Sequence, residues 1–234
     1  MGNFIDIASD VVSRASQRVE VAAQNVANIT TPGYKRRLSF SAVLASAVAD
    51  QSGKAGIDFT PGKPVKTGNP YDLTILGKGF FVVSSPSGLF YTRAGQFHAD
   101  ADGRLVNAQG FALQAQGGGD LIVKDDKTLH ILDDGSVVVA GQPAAKIAVV
   151  SLNDPQAATY VEGGVLSARA STTTAIDAPI IHQGAYESSN VSAGDEMVSI
   201  MAALREAETG AKLVNVYDDL MGRVLSTFGQ SGSS

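Results

Sequence analysis

Ala22-Ala23-Gln24-Asn25-Val26-Ala27-Asn28-Ile29-Thr30-Thr31-Pro32-Gly33-Tyr34-Lys35 is where one kind of chain ends and another begins. Upstream, Ile5, Ala8, Val12, Ala15, Val19, Ala22, Val26 and Ile29 step by three and four without a break, the seam of a long amphipathic helix. At ~1.5 Å per residue such a helix is roughly 40 Å long. Much of the seam is alanine, which lets a neighbouring backbone approach but buries little area. The helix must stop near Asn28, because Pro32 disfavours helix at Thr31 and Pro32-Gly33 suits the centre of a type II turn. Asn25 and Asn28 can satisfy backbone groups as the helix unwinds, and Gly33 can take a positive φ.

The far end of the chain repeats the pattern. Met197, Ile200, Leu204, Ala207, Ala211, Val214, Met221, Leu225 and Phe228 again follow three-four spacing. Ser192-Ala193-Gly194-Asp195 reads as a capping box just before this run, and Asp195 and Glu196 suit the positive end of a helix dipole. Gly210 stands mid-helix, where a bend is expected. Between the helices the period changes to short apolar runs, such as Leu73-Thr74-Ile75 and Phe80-Phe81-Val82-Val83, separated by Gly and Asp turns. Asn69-Pro70 reads as a turn before the strand entered at Asp72, and Gly77 and Gly79 flank a reversal before Phe80. These features predict an α+β chain in which N- and C-terminal helices pair as a coiled-coil-like core domain around a central, mainly antiparallel β domain. The expected divisions are residues 1–34, helix and turn; 35–69, an extended connector; 70–185, the β domain; and 186–234, the C-terminal helix.

Charge supports pairing of the ends. Residues 1–37 carry a net +2, whereas residues 187–228 set Arg205, Lys212 and Arg223 against seven carboxylates for a net −4. The whole chain, 234 residues at net −5, has one short basic cluster, Lys35-Arg36-Arg37, too small a footprint for nucleic acid. The absence of cysteine excludes disulfides, thiolate metal sites and cysteine nucleophiles. No uninterrupted apolar stretch is long enough for a membrane span, and the N-terminus lacks the basic and apolar regions of a cleaved signal peptide. His98, His130 and His182 lie far apart, outside any metal or nucleophile motif, and Asp125-Asp126 and Asp133-Asp134 read as turn acids. No catalytic, cofactor-binding or metal site is expected.

Four stretches, in order, resemble the signatures of flagellar rod and hook proteins: Ala27 to Lys35; Thr67-Gly68-Asn69-Pro70-Tyr71-Asp72-Leu73-Thr74-Ile75-Leu76-Gly77-Lys78-Gly79-Phe80-Phe81; Tyr91-Thr92-Arg93-Ala94-Gly95-Gln96-Phe97; and Glu187-Ser188-Ser189-Asn190-Val191-Ser192. The resemblance implies a structural subunit of the flagellar basal-body rod, in its proximal part, polymerising through its terminal helices with copies of itself and other rod proteins. It further implies delivery by the flagellar type III export apparatus, without signal cleavage, to a periplasmic position with the β domain outward. A distal rod or hook-type axial protein is the nearest alternative; a β-domain hydrolase is the reading from another class.

Overall fold

The computed structural model describes residues 3–39, 56–123, 129–154, 157–169 and 172–231. A first helix, α1, spans Asn3–Ala27, and a second, α2, spans Ala193–Ser231. Every strand pairing among the described residues is antiparallel. The chain is thus α+β, with a mainly antiparallel body between two terminal helices. It divides into two compact units, one containing Met1–Ala27 and Ser192–Ser234, the other made of Asn28–Leu38 and Gly56–Val191.

Local chemistry explains both ends of the helical unit. α1 closes at Ala27, as Asn28 turns the chain with its carbonyl accepting Thr31 N–H at 3.1 Å and its Oδ1 accepting the Thr31 hydroxyl at 3.1 Å. Ser192 caps α2 through a long 3.5 Å bond from Asp195 N–H to its Oγ. Within this unit the two helices pack on each other. Arg18 Nη1 meets Glu206 Oε2 at 2.5 Å, and Gly210 sits against Val12, Val11 and Ala8. The higher number on one helix meets the lower on the other, so the pair runs antiparallel.

The β unit is organised about the strand Phe80–Ser85. This strand pairs with Gly88–Thr92 on one side and with Ala112–Leu113 and Val149–Leu152 on the other. Phe81 and Val83 enter one apolar cluster with Leu73, Leu113 and Ile181, whereas Phe80 and Val82 enter a second with Tyr91 and Leu166. An unbroken Phe-Phe-Val-Val run is what a strand buried on both faces requires. A three-stranded meander, Leu129–Ile131, Ser136–Val139 and Gln142–Lys146, lies off this sheet. The apolar stretch Leu121–Val123 forms no strand and makes an isolated bridge from Ile122 to Arg104. Several strands carry too little apolar alternation to be legible, among them Pro64–Lys66, Thr173–Ala175 and Ala185–Glu187.

The chain's last strands close on its early ones. Ile180–Gln183 pairs with Leu73–Leu76, and Ala185–Glu187 with Pro64–Lys66. Residues from Ala185 to Val191 therefore belong to the β unit, and α2 begins only at Ala193.

Candidate functional site

The faces of the two helices come first. On α1, Ala8, Ala15 and Ala22 are buried and Val12, Val19 and Val26 half-buried, so the expected seam is the face turned inward. Ile29 is half-buried in the turn beyond the helix. On α2 the inward face is displaced by about one residue from the expected seam. Glu196, Ala203 and Gly210 are buried, with Ile200, Ala207, Val214 and Met221 half-buried beside them. Met197 and Leu204 stand outside this face, 58% and 50% exposed, and Ala211 is exposed as well. The side chains of Ile5, Leu225 and Phe228 lie outside the described residues.

The physical reason is steric. A Cβ on Gly210 would lie 2.8 Å from Val12 Cγ2 and 3.2 Å from Val11 Cγ1, so α1 approaches α2 where α2 has no side chain. Ala203 and Gly210 are buried in the contact, and many of the larger apolar residues face away: Met197, Val198, Met201, Leu204, Val216 and Leu220 are each at least half exposed. A helix with apolar residues on both its inner and outer sides is suited to burial among several neighbours.

The second feature is a buried polar junction that gathers the signature stretches. Lys35, Arg93 and Glu187 are all nearly excluded from solvent. Lys35 Nζ donates to Glu187 Oε1 and, at 2.8 Å, to Thr60 O. Gly62 N–H reaches the same Oε1 at 2.8 Å, while Arg93 Nη1 lies 3.6 Å from Glu187 Oε2. Arg93 also donates to the carbonyls of Ile75, at 3.0 Å, and Gly77, and its guanidinium sits 5.6 Å over the Phe80 ring. Burial pulls both the Lys35 ammonium and the Arg93 guanidinium below their ordinary ranges, with the Glu187 carboxylate acting in the opposite sense. One carboxylate thus serves two buried cations.

The turn residues around it have matching roles. Gly33 has φ +65°, and a Cβ there would fall 2.2 Å from the backbone of Arg93 and Ala94. Its N–H donates to Glu187 O at 2.7 Å. Pro32 precedes it half-buried, and Tyr34 stacks on Tyr160 at 5.1 Å. The Tyr160 hydroxyl accepts Lys35 N–H at 2.9 Å and donates to Lys35 O at 2.6 Å; burial raises its pKa above the ordinary phenol range. Asn25 is buried on α1. Further along, buried Asp72 accepts the Thr67 hydroxyl at 2.5 Å and Asn69 Nδ2 at 3.1 Å, and Pro70 O accepts Gln183 Nε2 at 2.8 Å. Gly77 and Gly79 hold the reversal before Phe80.

Sequence reasoning treated Pro32, Gly33, Asn69 and Gly77 as separate turns and passed over the charged residues set among them. Lys35, Arg93 and Glu187 each sit inside or at the edge of a turn-rich signature, and a charge in such company was the available signal. His98 and His130 are exposed on different strands, and His182 makes an exposed 2.9 Å contact with Asp133. Asp134 accepts from Ser136, as a turn acid does, whereas Asp125 and Asp126 lie outside the described residues. Among the described residues no cluster of His, Asp and Glu is arranged to hold a metal ion, and no helix is long and apolar enough to cross a membrane.

Comparison with known proteins agrees along most of the chain. Residues 5–35 match the model of the flagella basal body rod protein, residues 74–139 that of the flagellar hook protein FlgE/F/G D1 domain, and residues 182–227 that of the flagellar basal body rod FlgEFG protein C-terminal. The flagellar basal-body rod protein FlgF of Caulobacter vibrioides is 29% identical over 229 residues, covering 92% of this chain and 93% of its own. FlgG of Bacillus subtilis is 25% identical over 244 residues, covering 89% and 92%. FlgF of Escherichia coli is 25% identical over 245 residues, covering 95% and 97%.

Proposed function

The chain belongs to the flagellar basal-body rod protein family, and from that premise we propose that it is a structural subunit that enters the rod through its paired terminal helices. The carrying observation is the outer face of α2, where Met197, Met201 and Leu204 stand at least half exposed while Ala203 and Gly210 are buried on the opposite, inward face. Burying such a side chain is worth roughly 1.5–3 kcal/mol, and the single chain leaves that gain unused. Neighbouring subunits of the flagellar basal body are the natural source of cover.

In this reading the two terminal helices carry assembly, pairing as a coiled coil, and the β unit of Asn28–Leu38 and Gly56–Val191 takes no part in it. The partners are further copies of this chain and other rod proteins, with the type III export apparatus delivering it uncleaved to the periplasmic rod. A place in the proximal rod is supported by the likeness to FlgF proteins, and the FlgG likeness keeps the distal rod as the second reading. The role is mechanical rather than enzymatic, supported by the structural character of the family.

Met201→Asp with Leu204→Asp tests the proposal. Both residues are exposed, so the purified chain should keep its melting temperature within the small range of surface substitutions, about 0.5 kcal/mol. The same variant should fail to enter basal bodies and abolish swimming. A variant that assembles normally removes the outer face of α2 from the interface.

A further inference from the structure

The β unit is entered or left by the chain at four points, Asn28, Leu38, Gly56 and Val191. On the β-unit side, all four passages are fastened to one another. Residues 28–38 include the first and end at the second. There Arg37 and Leu38 pair with Ile57 and Gly56, which begin the third. Arg36 O accepts Asp58 N–H at 2.8 Å. The fourth passage follows Asn190, whose side chain joins all the others. Its Oδ1 accepts Arg36 N–H at 2.7 Å, and its Nδ2 donates to Asp58 O at 2.9 Å and to Thr60 O at 3.0 Å. Its own N–H donates to Tyr34 O at 3.3 Å.

Glu187 repeats the arrangement one layer deeper. Its backbone carbonyl holds Gly33, and its carboxylate holds Lys35, Gly62 and Arg93. Ser188 then ties to Lys63 in both directions: its N–H donates to Lys63 O at 2.9 Å, and its Oγ accepts Lys63 N–H at 3.1 Å. No segment can leave this knot without stripping acceptors from the other two. Buried polar groups that lose a partner are costly, and linked hydrogen bonds reinforce one another.

We propose that Lys35, Glu187 and Asn190 form a clamp that makes Gly33–Leu38, Gly56–Lys63 and Glu187–Val191 open as one cooperative unit, distinct from the rest of the β unit. Strain arriving along any one passage is then shared by all four. The inference goes beyond subunit function: it rests on the geometry of the single chain and is tested on it.

The experiment is amide hydrogen exchange on the full-length protein and on Asn190→Ala. Only Arg36 N–H loses its acceptor directly in this variant. The clamp predicts that Gly33, Asp58, Gly62 and Ser188 accelerate with it by a common factor, about tenfold or more, while the meander strand Ser136–Val139 keeps its native rate. Glu187→Gln, measured alongside, should accelerate the same set further. Should Glu187→Gln fail to fold, Asn190→Ala alone decides. Acceleration confined to Arg36 would overturn the proposal, because the bonds would then be independent. Equal acceleration everywhere, Ser136–Val139 included, would overturn it too, because no separate opening unit would exist.

Discussion

Tyr160 shows how one side chain is used at this junction. Its ring stacks on Tyr34, the Arg37 guanidinium lies 5.9 Å from its centroid, and its hydroxyl both accepts from and donates to the backbone of Lys35. Burial, acting first, raises the pKa of the phenol, so the folded chain keeps its proton where the unfolded chain has already released it near pH 10. A group raised in this way contributes stability that is complete below the unfolded pKa and is lost as pH rises beyond it. Between pH 8 and pH 11 the native protein should therefore lose about 1.4 kcal/mol more than Tyr160→Phe does, read from urea denaturation of both proteins at each pH. Equal losses would show that the hydroxyl titrates as freely when folded. Nothing near Tyr160 in the sequence marks it for this task. It lies 125 positions from its partner, and only folding makes them neighbours.

At the scale of elements, the existence of both helices, the stop of α1 and the start of α2 were legible, because three-four spacing, the Thr31-Pro32-Gly33 stop and the Ser192 cap are local signals. The inward face of α1 was legible too, since Ala8, Ala15 and Ala22 lie on the seam that three-four spacing picks out. The face of α2 was not. Apolar residues occupy both of its sides, and spacing alone picks out the larger ones, whereas close packing selects Ala203 and Gly210. Gly210 therefore serves as a point of close approach to α1. Replacing it tests this. Gly210→Leu gains ~1 kcal/mol of helix propensity but forces a side chain into Val12, at a cost of about 1–3 kcal/mol for overpacking. Exchange protection should fall along α1 while the strands keep theirs; protection of α1 that survives unchanged would show that the helices are not held at this point.

For the molecule as a whole, the β class was readable from short apolar runs between Gly and Asp turns, and the double-sided burial of Phe80–Val83 was implicit in its unbroken hydrophobicity. Where the β unit begins and ends was not readable, because its edges are made by Lys35, Glu187 and Asn190 rather than by apolar residues. The cut points for a self-sufficient fragment follow from those edges. Residues 28–191 should fold and melt cooperatively, without assembling. A fragment ending at residue 184 loses the strand Ala185–Glu187 and the carboxylate that faces two buried cations, and should lack a cooperative transition in calorimetry.

The pairing of Ala185–Glu187 with Pro64–Lys66 also sets a timetable. A chain made or moved head first presents Lys35 and Arg93 long before the carboxylate that neutralises their neighbourhood. Until that late arrival the strand Pro64–Lys66 lacks its partner, and Lys35 and Arg93 lack the carboxylate they share. Setting hard is thus deferred to the moment when nearly all of the polypeptide has come through.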